Sequence, residues 1–132
     1  MPAALEPFHQ RGFRFGCHIV RLYLRLIAIP GLPAYMARQV LQSGTSIGAN
    51  LEEAKAAQTR RDAAARFSIA LKEARETAYW LRLLVTTDLA PDSLVASALD
   101  EAEQLVAILT VARRKLNTPG TGSKEPKDSR EG

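Results

Sequence analysis

The chain has 132 residues, of which 46% are hydrophobic, and a formal net charge of +4 at pH 7. This size and composition predict one globular domain, while two histidines and one cysteine exclude a zinc cluster and an internal disulfide. Because the N-terminus lacks a signal-peptide pattern and no uncharged stretch could span a bilayer, we expect a cytoplasmic protein without membrane contact.

The first predicted helix runs from Phe8 to Ile29, after an N-terminal extension at residues 1–7. Its apolar residues form two heptad series that are predicted to adjoin and to contact two neighbours. The first series is Phe8, Phe15, Ile19, Leu22, Leu26 and Ile29, and the second is Phe13, Cys17, Val20, Leu24 and Ile27. We interpret Cys17 as a reduced core residue. A basic series at the same spacing is predicted to lie opposite and comprises Arg11, Arg14, His18, Arg21 and Arg25.

The second predicted helix covers residues 33–57 and contains a run of small and polar residues from Ser43 to Ala54. A glycine in a helix interior costs about 1 kcal/mol relative to alanine, so two glycines four apart on one face predict a close approach of another helix. The residues predicted to pack closely are Ser43, Gly44, Ile47 and Gly48. Asn50 and Glu53 follow at the edge of the same contact.

The third predicted helix begins near Arg60, after a capping box formed by Thr59 and Asp62, and continues to Thr87. The fourth covers residues 92–117, and residues 118–132 are predicted to be a disordered tail. Helices of similar length joined by short breaks predict an all-α fold: an up-down-up-down antiparallel four-helix bundle over residues 8–117.

No set of residues in the chain matches a known catalytic or metal-binding pattern. Neither His9 nor His18 follows a glutamate by three residues, which excludes the di-metal site found in some bundles. There is also no glycine-rich phosphate loop and no Ser/His/Asp or Cys/His set with a plausible base. We therefore predict a protein that is not an enzyme and that holds no metal or cofactor.

The carboxylates of Glu73 and Glu76 are interpreted as parts of a structural polar network with Asn50 and Glu53. Matching the ends of the first and third helices places Glu73 and Glu76 near the height of Arg21 and Arg25. Folding the first two helices together places Asn50 and Glu53 near Arg11 and Arg14. The arginine series accordingly has three interpretations. It is a solvated basic face, a set of partners for carboxylates within the bundle or across a subunit contact, or a nucleic-acid contact.

Three segments of the chain resemble a known family: Phe13–Tyr23, Ser43–Ala54 and Ser68–Leu81. They are similar to the bacterial four-helix bundle family that includes proteins encoded in 23S rRNA intervening sequences. That family is related to the accessory variability proteins of diversity-generating retroelements. The resemblance implies a bundle that assembles as a ring, commonly a pentamer, and in the retroelement branch a basic ring binds RNA and a reverse transcriptase. Gln42 stands where similar sequences tend to have Arg, and Ala63 stands where an aromatic residue is usual.

Two functional hypotheses follow. The first is a self-associating bundle that binds RNA or DNA through the arginines of the first helix. The second is a structural oligomer that recruits a protein partner without binding nucleic acid. In both, the apolar width of the first helix and the flanking Trp80 and Leu83 of the third predict contacts between copies of the chain.

Overall fold

The computed structural model describes residues 7–118, which form four α-helices and no strand. They are α1 (Phe8–Leu26), α2 (Ala34–Lys55), α3 (Arg60–Thr86) and α4 (Asp92–Asn117). The predicted all-α class is confirmed. Except for Pro7 and Thr118, the predicted N-terminal extension and C-terminal tail lie outside the described residues. No helix within residues 7–118 is long and apolar enough to cross a membrane.

Each helix packs against the next in the chain, and α4 returns to the side of α1. The diagonal pairs, α1 with α3 and α2 with α4, make no backbone contact within the described residues. The chain is therefore an up-down-up-down bundle in which α1 and α3 run parallel to each other. The α1–α4 contact is the least extensive of the four, and this leaves a groove open between those two helices.

The helix ends follow from local chemistry. α1 ends at Leu26, before the predicted Ile29, because its last turn tightens: the Ala28 N–H donates to Arg25 O and the Ile29 N–H to Leu26 O. Pro30 disfavours helical backbone at the residue before it, and Gly31 then takes a φ of +86°. At the start of α3, the Thr59 hydroxyl accepts a hydrogen bond from the Asp62 N–H at 3.0 Å, as an N-cap does.

The core is built from one apolar face of each helix. Phe15 and Ile19 of α1 are fully buried, as are Ile47 of α2 and Leu81 of α3. Alanines at repeated positions of α3 and α4 are buried as well, and small side chains there let the two helices approach closely. These alanines are Ala70, Ala74 and Ala78 of α3 with Ala98 and Ala102 of α4.

Candidate functional site

α1 and α2 pack backbone against backbone where Gly12 meets Gly48. A Cβ atom placed on Gly48 would lie 2.8 Å from the Gly12 carbonyl oxygen, and one placed on Gly12 would lie 2.8 Å from the Gly48 Cα. One turn earlier on α2, a Cβ on Gly44 would lie 2.7 Å from the Ile19 side chain. Gly44 and Gly48 thus form the edge of α2 that faces α1, and any side chain at Gly48 would push the two helices apart.

The opposite edge of α2 faces α3 and is polar. The Thr77 hydroxyl lies 2.9 Å from Ser43 Oγ and 2.8 Å from Glu73 O, and the Ser43 hydroxyl donates to Gln39 O at 2.7 Å. Ser43 and Thr77 are both buried, so this bond joins α2 and α3 inside the bundle. Satisfying buried hydroxyls in this way avoids the cost of an unpaired polar group.

Asn50 lies on the same polar edge and bonds to α3. Its Oδ1 accepts from Arg66 Nη1 at 3.2 Å, and its Nδ2 donates to Ser46 O at 2.9 Å. Glu53 lines a shallow surface groove with Arg66. The predicted position of Asn50 and Glu53 beside the arginines of α1 is therefore wrong, since they point to α3 from the other side of α2.

The second apolar series of α1 faces away from the bundle. Its exposed members, called the outer stripe below, have side chains between 44% and 67% accessible and are Phe13, Val20, Leu24 and Ile27. The prediction that the two apolar series of α1 adjoin is wrong for a geometric reason. Phe13 and Phe15 are two residues apart, and each residue turns a helix by about 100°, so they lie on nearly opposite sides. α1 consequently has one apolar face in the core and another in solvent.

A groove of about 300 Å³ runs between the outer stripe and α2. A Cβ placed on Gly16, in its floor, would meet nothing within 4 Å. Cys17 is half-buried in the wall of this groove and is not the core residue that the sequence predicts. The groove is lined by Gly12, Phe13, Gly16, Cys17, Val20, Thr45, Gly48, Ala49 and Glu52. Together with the outer stripe it makes a continuous apolar surface of the kind that marks an interaction site.

The five basic residues predicted as a site divide into two groups. Arg11 and His18 are held against α4: Arg11 Nη2 donates to Gln104 Oε1 at 2.7 Å, and His18 Nδ1 lies 3.8 Å from Glu101 Oε1. Arg14, Arg21 and Arg25 are exposed on the α4 side of the outer stripe.

Arg21 and Arg25 line the open groove between α1 and α4, which has a volume of about 600 Å³. The side chain of neither arginine makes a hydrogen bond or ion pair with another residue of the described range. The rest of the groove is lined by His18, Leu22, Ile29, Pro91, Ser93 and Leu94. Two positive charges at the mouth of a partly polar groove can attract an anion.

Glu73 and Glu76 lie half-buried on α3, and neither forms a salt bridge within residues 7–118. The pairing with Arg21 and Arg25 inside one bundle is therefore wrong, because α1 and α3 occupy diagonal corners. Burial raises the pKa of the Glu73 carboxyl above its ordinary 4.5, and the Glu76 carboxylate adds to this, while the charge of Lys72 opposes it.

Aromatic side chains lie beside these two carboxylates, on the side of α3 that faces the start of α2. The Trp80 ring meets Tyr35 edge to face at 5.8 Å and Tyr79 at 5.4 Å. The Trp80 Nε1 atom is buried and makes no hydrogen bond with the described residues. The surface that these rings form with the carboxylates is called the acidic–aromatic face below and comprises Tyr35, Ile69, Glu73, Glu76, Tyr79 and Trp80.

The sequence model of the family described as "23S rRNA-intervening sequence protein" matches residues 9–111, which is most of the chain. The chain belongs to this family. A solved 1.70 Å structure from Bacteroides thetaiotaomicron, a protein of unknown function from the S23 ribosomal protein family, is 36% identical. The match covers 81% of this chain and 98% of that one, with a TM-score of 0.74. No curated protein matches the chain.

Sequence reasoning missed several residues that position the polar and small side chains of this family member. Gly12, the partner of Gly48, had one available signal, which was the cost of a glycine inside a helix. The sequence offered no such signal for Arg66, Glu101 and Gln104, because a helical repeat does not show which polar side chain reaches a neighbouring helix. Within residues 7–118, no group of three or more His, Cys, Asp or Glu side chains is arranged to hold a metal ion.

The raised pKa of Glu73 makes the stability of this family member depend on pH. Ionising the Glu73 carboxyl costs more free energy in the folded chain than in the unfolded chain. This destabilisation is absent below about pH 4.5 and reaches its full size above the raised pKa. Glu73→Gln is therefore expected to stabilise the folded chain at pH 7 by less than about 1 kcal/mol, since the group is partly exposed, and to change its stability little at pH 4. Urea unfolding at both pH values measures this, with the exposed Glu103→Gln as the control. Equal stabilisation at the two pH values would show that titration is not the cause.

Proposed function

We propose that this protein is a non-enzymatic, self-associating helical bundle that assembles through the outer stripe of α1. The observation that carries the proposal is the exposure of three large apolar side chains along α1 and of Ile27 directly after it, beside an apolar groove. Full burial of such a side chain contributes about 1.5–3 kcal/mol, so covering the stripe with a second copy offers a substantial driving force. Closure into a ring, commonly a pentamer in similar proteins, is the form of assembly that we propose, in the cytoplasm.

A charged residue in the outer stripe should separate the subunits without unfolding them. Leu24 is exposed in the single bundle, so Leu24→Glu is expected to leave the helical circular dichroism unchanged. In the assembly the same carboxylate would be buried against apolar surface, which is costly, so light scattering should show a monomer at micromolar concentration.

The matched control is Ala96→Glu, which adds the same charge at an exposed position of α4. This variant is expected to assemble as the unaltered protein does. A monomeric unaltered protein at micromolar concentration would overturn the proposal. An assembly that survives Leu24→Glu would show that the contact lies elsewhere on the surface.

We further propose that the assembled form binds RNA or DNA. The supporting observation is that the side chains of Arg21 and Arg25 are exposed and make no hydrogen bond or ion pair in the described range, and that residues 8–29 include no acid. Repeating this helix around an assembly would produce a higher density of positive charge than one subunit has. Arg11 and His18 support this function less, since they are engaged with α4. The alternative is a scaffold that recruits a protein partner through the same assembly.

A further inference from the structure

Two surfaces of the subunit carry complementary groups that find no partner within one bundle. The outer stripe is apolar and is flanked by Arg21, on a helix without acidic residues at 8–29. The acidic–aromatic face is also apolar in part, through Ile69, Tyr79 and Trp80, and it holds Glu73 and Glu76 without a salt bridge to the described residues. Arg21 beside one surface and the two carboxylates of the other have opposite charges, and neither is cancelled by a salt bridge to Glu52 beside the first surface or to Lys72 beside the second.

The two surfaces also match in height along the bundle. The rings of Phe8 in α1 and Phe67 in α3 meet edge to face at 5.4 Å, which fixes the level of one helix relative to the other. Counting about 1.5 Å per residue from that contact places Arg21 level with Trp80 and about one turn beyond Glu76. An arginine side chain can span that distance.

We propose that the acidic–aromatic face receives the outer stripe of a second copy, with Arg21 of one subunit paired to Glu76 of the next. This inference rests on the proposed self-association and names the surface that the outer stripe contacts. A rotation about an axis parallel to the helices leaves heights unchanged, so groups on the same level in one bundle meet across such a contact. Leu24 and Val20 then pack against the aromatic side of α3.

The proposed contact joins two different surfaces of the subunit, and this determines the symmetry of the assembly. Both surfaces border α2, the outer stripe through the groove at Thr45 and Ala49 and the acidic–aromatic face through Tyr35. They therefore lie on adjacent sides of the bundle, so that each added subunit turns the series, and a contact that keeps the helices parallel lets the series close into a ring. A two-fold pairing of outer stripes would instead set arginines beside arginines and leave Glu73 and Glu76 unneutralised.

Charge reversal tests the assigned pair. Arg21→Glu and Glu76→Arg are each expected to weaken assembly about tenfold or more, because each sets like charges against one another at the contact. The double variant should restore it. An equimolar mixture of the two single variants should assemble better than either variant alone, since each contact between unlike variants pairs opposite charges. In a ring of five, one contact would still join two like variants, so the mixture should recover less of the assembly than the double variant does. Light scattering and sedimentation velocity measure these outcomes.

Glu103→Arg, at an exposed position of α4, is the control for the charge change. Circular dichroism checks that Glu76→Arg folds, and Glu76→Gln offers a milder change that should still weaken assembly. If Glu76→Arg and Glu76→Gln assemble as the unaltered protein does, while Leu24→Glu is monomeric, the acidic–aromatic face is not the receiving surface and this inference is overturned. The proposed self-association through the outer stripe would then remain.

Discussion

Gly48→Leu is expected to destabilise the bundle by about 3 kcal/mol, at the upper end of the usual cost of overpacking. The first atom of the new side chain would already lie 2.8 Å from the Gly12 carbonyl oxygen and 2.9 Å from its carbon. Those are backbone atoms, which cannot rotate away as a side chain can, so α1 and α2 must separate. The gain in helix propensity, less than about 1 kcal/mol, does not offset this cost.

Gly16→Leu is the matched control, because it makes the same change in a helix that packs at the same interface. A Cβ at Gly16 meets nothing within 4 Å, so the substitution should leave the subunit as stable or slightly more stable. Both variants are best compared by urea midpoint in the Leu24→Glu background, where subunit dissociation does not enter the unfolding reaction. An unchanged midpoint for Gly48→Leu would mean that the two helix backbones do not meet at Gly12 and Gly48.

The assembled protein is expected to bind single-stranded RNA or DNA with an affinity that falls steeply as salt rises. The logarithm of the binding constant should decrease linearly with the logarithm of salt concentration, by about 0.7 per neutralised phosphate on a single strand. At that slope, a surface that neutralises about six to ten phosphates of a single strand loses a factor of roughly 300 to 10⁴ in affinity between 50 and 200 mM salt. Leu24→Glu, by separating the subunits, should reduce binding at every salt concentration.

Arg25 is the residue that best tests this expectation, because Arg21 has a second proposed role at the subunit contact. Arg25→Gln is expected to weaken binding for all sequences and to reduce the salt slope by about 0.7 for each phosphate that the side chain no longer neutralises. Arg75→Gln removes the same charge from an exposed position of α3 and is the control. Fluorescence anisotropy with labelled oligonucleotides measures both. An assembly that binds neither RNA nor DNA in a salt-dependent way would favour the scaffold that recruits a protein partner.

Local signals in the sequence were sufficient for the number of helices and for the breaks between them, although α1 ends at Leu26 and not at the predicted Ile29. The start of α3 follows from the hydroxyl of Thr59, and the break after α1 follows from Pro30 and Gly31. These effects act within a few residues along the chain and need no neighbour. The same holds for the two apolar directions of α1, since the angle between Phe15 and Leu24 follows from their spacing however the bundle is arranged.

The partners of the candidate site required the tertiary structure. Helical periodicity gives the angle between Gly48 and Asn50 on α2, but it does not say that one edge meets α1 and the other meets α3. It also cannot tell which apolar series faces the core and which faces solvent, and only the packing placed Phe15 inside and Leu24 outside. The single wide face that was predicted is wrong on helix geometry alone. The sequence by itself thus determined four helices and their apolar faces, because those depend on neighbours one turn apart. Only the packed bundle decided that Glu76 and Arg21 stand at diagonal corners, because that depends on how helices far apart in sequence are placed around a shared core.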